Sequence, residues 1–246
     1  LAYSAELDAL DPSGKGAMLL PIPSSVPLTE DNFIDTSEFP WFLDDIINAT
    51  KVVMRTLGEP MSFRMSKALV IDRGDVTYVY AESFAAAWGA VSEVTEARRP
   101  TFTQEFIDGC TALYNEPIAI ACWAGSAKMQ PLMIWYVPSD PTTFRLPTMD
   151  SHDGSAPRRG EVDTDHNLSV SAGSMGREVK YSGVIPDNVK SLLSTRVHGA
   201  KFEGMLENGD CFVDVADADA KRFAHIIRRW SSKDDLLFYD RMVGWS

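Results

Sequence analysis

"PIAIACWAG" (residues 117–125) and "PLMIWYVP" (131–138) are the most apolar runs of the chain. Both are bounded by Pro or Gly and carry Ile and Trp, the second Val and Tyr as well, side chains that suit a pleated, buried surface. Each is strand-sized, too short to cross a membrane as a helix. They read as two buried β-strands, and the remaining segments arrange themselves around them.

Upstream, "MSFRMSKALVIDRGDVTYVYAE" (61–82) reads as two β-runs meeting at the turn set Asp72-Arg73-Gly74-Asp75. "SFAAAWGAVSEVTEARR" (83–99) is predicted helical and closed by Pro100, and Thr101 with Gln104 forms a capping-box pattern opening a short helix to Asn115. In residues 36–60, Pro40 suits a first helical turn, Leu43, Ile46, Ile47, Thr50, Val53 and Leu57 recur at helical spacing, and Gly58 and Pro60 end the run. Residues 1–35 lack periodicity and carry Pro21, Pro23 and Pro27, the mark of an extended N-terminal arm. Downstream, 138–167 reads as a long loop with four prolines. Short β-like segments follow around 168–172, 177–183, 201–207 and 211–216, with Asn208-Gly209 as a hairpin signal between the last two. "PDNVKSLLSTRVHG" (186–199) reads as a further helix. Many short strands with Pro-rich connections favour a β-sandwich over alternating βαβ units.

The formal net charge of −12 argues against a dedicated nucleic-acid binder, because phosphate contacts need clustered Lys and Arg. Arg98-Arg99, Arg158-Arg159 and Arg228-Arg229 are isolated doublets, and the 1–35 segment is acidic. Cys110, Cys122 and Cys211 are odd in number with no C-x-x-C pair, which suits a reducing compartment and gives no disulfide or zinc framework. No phosphate loop, dinucleotide fingerprint or nucleophile elbow is present.

Three places carry candidate chemistry. Residues 151–167 hold His152, Asp153, Glu161, Asp163, Asp165 and His166 without zinc spacing. Asp163, Asp165 and Asn167 begin like a calcium loop, which then fails at Leu168 and Ser174, where Gly and Glu are needed. A solvated loop and a weak calcium site both stay open there. Arg73-Gly74-Asp75 matches an integrin-binding signal as well as a plain turn. Asp234 and Asp235 precede the apolar run Leu236–Tyr239 and read either as a soluble turn or as paired carboxylates, one a general base and the other holding a shared proton.

Three stretches, taken in order, resemble the capsid proteins of picorna-like viruses, that is, picornaviruses and their dicistrovirus, iflavirus and marnavirus relatives. "TLGEPMSFRMSKALV" (56–70) is similar to the run leading into the first sandwich strand, and residues 106–140 to a helix, strand, Gly-Ser turn and strand ending in Tyr-Val-Pro. "AHIIRRWSSKDDLLFYDRMVGW" (224–245) is similar to the closing pair of strands around an Asp-Asp-Phe step. The resemblance implies an all-β fold, an eight-stranded antiparallel jelly-roll sandwich with a few short helices, as a single domain over 36–246 behind the 1–35 arm. It implies a structural subunit of an icosahedral virion, cut from a polyprotein, which fits Leu1 in place of Met. The implied partners are sibling capsid proteins, a packaged single-stranded RNA genome met mostly indirectly, and a host receptor. The place is the virion, assembled in the host cytoplasm, with no membrane span.

In some members of these families the Asp-Asp-Phe motif is implicated in cutting a neighbouring precursor. Asp234 and Asp235 match its aspartates, but Leu236 replaces the Phe. No other enzymatic activity and no cofactor beyond a possible calcium ion are expected. The alternatives are a jelly-roll carbohydrate- or ligand-binding module and a metal-dependent hydrolase using His152, Asp153, Asp165 and His166.

Overall fold

The computed structural model describes residues 2–3, 15–49, 68–125, 130–149, 151, 155–170, 176–193, 195–214, 225–229 and 236–237. Strands β1 (Ala2–Tyr3), β2 (Lys15–Pro21) and β3 (Phe33–Ile34) precede helix α1 (Phe42–Ala49). The hairpin of β4 (Leu69–Arg73) and β5 (Val76–Ala81) leads to α2 (Phe84–Ala90), α3 (Gln104–Leu113), β6 (Ile118–Ala124) and β7 (Leu132–Ile134). Then come β8 (Thr143–Leu146), β9 (Glu161–Val170), β10 (Arg177–Glu178), β11 (Arg196–Glu207), β12 (Asp210–Asp214), β13 (His225–Arg229) and β14 (Leu236–Leu237). The protein is mostly β, with antiparallel sheets and a few short helices.

Two compact units are distinguished within the chain. The first comprises 1–38, 61–140 and 149–158, and the second 39–60, 141–148 and 159–246.

The first unit is built on the sheet β2-β6-β5-β4. All of β5, and all of β6 except Ala124, is buried, because both faces of this sheet are covered. Val76, Tyr78 and Tyr80 share one face with Trp123, Ala121 and Ala119, their cross-strand partners. Against that face packs the smaller sheet β1-β7-β3, with Phe33, Leu132 and Ile134 in the shared core. The Phe33 ring lies 4.9 Å from that of Tyr78 and 6.0 Å from that of Tyr80. The alanines opposite the two tyrosines leave room for these rings, the large-against-small matching that a dense core requires. On the other face, Val79, Ala81, Ile118, Ile120 and Cys122 meet α2 and α3 through Phe84, Ala87, Phe106 and Cys110. Burying each large aliphatic or aromatic side chain contributes about 1.5–3 kcal/mol.

The segment read as an arm is part of this unit. β2 pairs with β6 along its whole length, from Lys15↔Ala124 to Pro21↔Ile118, and Leu20 and Ile22 are buried. Met18 packs toward one core cluster and Ala17 and Leu19 toward the other, so no apolar–polar alternation marks the strand. Pro21 is accommodated because β2 is an edge strand of this sheet. Gly16 sits opposite Trp123, whose ring occupies the space any added Cβ would need. Ser83 caps α2, and Thr103, not Thr101, caps α3 by accepting the Phe106 N–H at 3.1 Å. That frame turns Phe106 and Cys110 into the core.

In the second unit α1 lies against β9 and β11 and buries Phe42, Leu43 and Ile46. The continuation expected through Val53 and Leu57 lies outside the described residues. β9 and β11 pair over ten consecutive positions, from Glu161↔Glu207 to Val170↔His198. The loop expected at 138–167 therefore contains β8 and the first part of β9. The helix expected at 186–199 is replaced by successive turns, Val189 N–H to Pro186 O and Leu192 N–H to Val189 O. From Arg196 the backbone is taken up by β10 and β9, and that pairing overrides the helical pattern. Asn208-Gly209 is no hairpin between its flanking strands: β11 belongs to the sheet β10-β11-β9, and β12 to the sheet β14-β13-β12-β8. The dipeptide carries the chain from one sheet to the other.

Candidate functional site

The β4–β5 turn brings the Arg73-Gly74-Asp75 tripeptide to the surface in a fixed form. Arg73 pairs with Val76, leaving Gly74 and Asp75 as the two turn residues. Gly74 takes a φ of 54°, in the left-handed region where a Cβ is unfavourable. Two side chains clamp the turn. Gln130 donates to the Arg73 carbonyl at 3.1 Å and accepts the Asp75 N–H at 3.2 Å, while Arg98 donates to the Gly74 carbonyl at 2.9 Å. Arg73 itself is directed along the protein, with Nε 2.7 Å from the Phe33 carbonyl and one terminal nitrogen 2.8 Å from the Glu30 carbonyl. Its guanidinium is a strut between the hairpin and the 30–33 segment. Gly74 and Asp75 are the exposed members of the tripeptide.

The described candidates of 151–167 lie along one extended strand rather than around a point. His152 and Asp153 lie outside the described residues. Glu161, Asp163, Asp165, His166 and Asn167 occupy β9, where Asp163 is in register with Met205, Asp165 with Glu203 and Asn167 with Lys201. A calcium loop wraps its ion by turning sharply, whereas this backbone is extended over the same residues. Among the described residues, no three His, Cys, Asp or Glu side chains are grouped so as to hold a metal ion. Asp234 and Asp235 lie outside the described residues. The apolar residues after them begin β14, with Leu236 in register with Arg229 and Leu237 with Arg228.

The buried polar group that motif reading missed stands beside the passage from β11 to β12. Arg145 on β8 and Asp210 on β12 are 5% and 1% exposed. Arg145 donates to one Asp210 oxygen from Nε at 3.0 Å and from a terminal nitrogen at 2.7 Å. The other Asp210 oxygen accepts the Thr148 N–H at 3.1 Å, and the Thr148 hydroxyl donates to the Gly209 carbonyl at 2.8 Å. The guanidinium also lies 5.3 Å from the centre of the Phe212 ring. Nothing in the spacing of Arg145 and Asp210 foretells the contact, since 65 residues separate them. Its chemistry is that of a tie between strands.

Cys110 and Cys122 are poor nucleophiles as placed. Burial pushes the Cys110 and Cys122 thiols up to about 12, away from the thiolate form. Tyr181 is likewise pushed up to about 12, by burial and then by the carboxylate of Asp45.

Large apolar side chains exposed in the first unit include Val26, Trp135 and Val137, on two segments held together. Ser25 N–H donates to the Val137 carbonyl at 2.8 Å, and Ser139 N–H to the Pro23 carbonyl at 2.7 Å. Among the described residues no helix is long and apolar enough to cross a membrane. No family model, curated protein or solved structure matches the chain.

Proposed function

We propose that this protein is a structural subunit of the icosahedral shell of a picorna-like RNA virus, with jelly-roll-type sandwich architecture. On this reading it is cut from a polyprotein and assembles in the host cytoplasm with sibling capsid proteins around a single-stranded RNA genome. The observation that carries it is a repeated topological step. In each unit, consecutive strands leave one antiparallel sheet and enter another, β6 to β7 in the first and β11 to β12 in the second. In the first unit the two sheets concerned share one core. Successive strands that switch sheets belong to sandwiches and jelly rolls, in contrast to meanders that stay in one sheet. A surface-clamped turn, long connections and an N-terminal segment zipped onto a sheet suit a body whose task is packing against neighbours.

Sedimentation of material from the natural source on a sucrose gradient tests the proposal. The chain is expected to travel in one large particle with two or three similar-sized proteins and nuclease-protected RNA. Migration as a monomer or small oligomer without RNA would overturn it. Within such a particle, Asp234→Asn together with Asp235→Asn is expected to leave a partner precursor uncut. Complete cutting in that variant removes the maturation role and leaves the shell reading intact.

A further inference from the structure

Val26, Trp135 and Val137 are 47%, 39% and 49% exposed, on backbone that is already committed elsewhere. Asn32 is the hub. Its side chain accepts the Thr29 N–H at 2.9 Å and donates to the Trp135 carbonyl at 2.8 Å, and its own carbonyl accepts the Trp135 N–H at 3.0 Å. Ser24 Oγ reaches the Val26 carbonyl at 2.6 Å and the Val137 carbonyl at 3.3 Å, so the two valines stand on neighbouring, cross-braced segments. The Trp135 indole N–H donates to the Asp31 carbonyl at 2.9 Å. The one polar atom of this side chain is satisfied within the protein while the ring remains in solvent. An aromatic side chain held in one pose, with no donor left to desolvate, is the kind of group that anchors an interface at low ordering cost.

The two segments that carry the patch have charge of one sign. Residues 16–40 and 131–140 contain Glu30, Asp31, Asp35, Glu38 and Asp140, and neither Lys nor Arg. Glu30 and Asp31 are exposed and flank the Trp135 contact; Arg73 reaches this region, donating to the Phe33 and Glu30 carbonyls with a terminal nitrogen 4.0 Å from the Glu30 carboxylate, which stays 68% exposed. Two copies of this surface meeting about a two-fold axis would set these carboxylates against each other, in a chain whose net charge is −12. A complementary occupant is apolar at its centre and cationic at its rim.

We infer that Val26, Trp135 and Val137, bordered by Glu30 and Asp31, form a docking surface for an extended segment of a different protein chain that presents alternating apolar residues flanked by Lys or Arg. Trp135 and Val137 are two residues apart, and alternate side chains of an extended chain repeat every ~7 Å, so one such segment can engage both. The surface does not depend on the shell reading, since a smaller complex could use it equally, and failure of the gradient experiment leaves it untouched.

The test uses the purified full chain and two synthetic ten-residue peptides sharing a Leu-Thr-Val-Thr-Leu centre, one flanked by lysines and the other by glutamates. In low salt the lysine peptide is expected to bind at least about tenfold more tightly than the glutamate peptide, with the gap narrowing in high salt. Trp135→Ala with Val137→Ser is expected to weaken the lysine peptide by about tenfold or more. Glu30→Lys with Asp31→Lys, which leaves the apolar residues in place, is expected to reverse the preference between peptides. Equal affinity for the two peptides, no binding of either, or indifference to both variants overturns the inference. So does self-association of the wild-type chain that Trp135→Ala with Val137→Ser abolishes, because the occupant is then a second copy.

Discussion

In the first unit Phe33 lies against Tyr78 and Tyr80, and a four-stranded sheet is covered on both faces by apolar side chains. In the second, the step from β11 to β12 stands beside a charge pair, Arg145 with Asp210, tied into the turn through Thr148. The apolar arrangement is tolerant, because dispersion and burial are spread over many contacts and have no required direction. The ionic one concentrates its effect in a few atoms. Two charges taken out of water stabilise little in net terms while paired, and losing one partner strands the other. What the pair adds is geometry: Asp210 binds β8 through Arg145 and the 148 backbone through its second oxygen. The chain enters the second sheet at that point.

The sharpest way to break this comparison is to truncate both. Phe33→Ala is expected to cost about 3–5 kcal/mol by transfer and cavity formation. Arg145→Ala is expected to cost about 3–5 kcal/mol by leaving Asp210 buried without its cation. The distinguishing result is rescue. Arg145→Met combined with Asp210→Leu should regain most of the loss, whereas no second substitution of Tyr78 should restore Phe33→Ala. Urea unfolding of the four variants reads both effects, and failure of the double substitution to recover stability would show that the charges themselves are required.

A smaller effect reads the helix-covered core through pH. Cys110 and Cys122 sit in the helix-covered core of the first unit, where burial raises each thiol from 9.0 to about 12. Between those values the unfolded chain releases protons that the folded core retains, so stability is full below about pH 9 and falls as the pH rises toward 12. Burial raises Tyr78 and Tyr80 as well, with the same sign. Melting temperature followed from pH 8 upward should decline less steeply in Cys110→Ala with Cys122→Ala than in the wild type. Equal slopes would mean that the thiols do not contribute.

The smallest effect concerns one helix start. Thr103→Ala should cost about 1 kcal/mol, the usual loss for an N-cap, whereas Thr101→Ala should be near neutral. Equal costs at the two positions would contradict the observed frame of α3.

Much of the first unit is legible in the sequence. The run at 117–125, the Asp72–Asp75 turn and the helices after Ser83 and before Asn115 are local patterns that the fold keeps, whereas of the run at 131–138 only Leu132–Ile134 is strand, with Trp135 and Val137 exposed, and the helix expected through 99 ends at Ala90. β2 is not legible, for the same reason that makes it stable. Both of its faces are covered, so the alternation that announces a half-buried strand is missing, and its prolines imitate an arm. In the second unit, Asn208-Gly209 is recognisable as a turn but not as a change of sheet, and "PDNVKSLLSTRVHG" has helical spacing that turns and strand pairing supplant. The β9 residues look like a ligand loop because carboxylates and histidines in sequence carry no information on whether the backbone wraps or extends. Of the candidate sites, the hairpin turn is visible in its residues, yet the use of Arg73 as a strut is not, because Phe33 and Glu30 are 40 and 43 residues distant.

By itself the sequence determined the Asp72–Asp75 turn, the burial of the run at 117–125, that the class is strand-rich, and which side chains can ionise. These follow from local sterics and from the spacing of apolar residues. Only the tertiary structure decided which strands pair, where the chain changes sheets, that Arg145 meets Asp210, and that Trp135 is held open to solvent with its N–H already bonded. Those outcomes depend on contacts between residues tens of positions apart, and the free energy that selects them lies in closing two faces together.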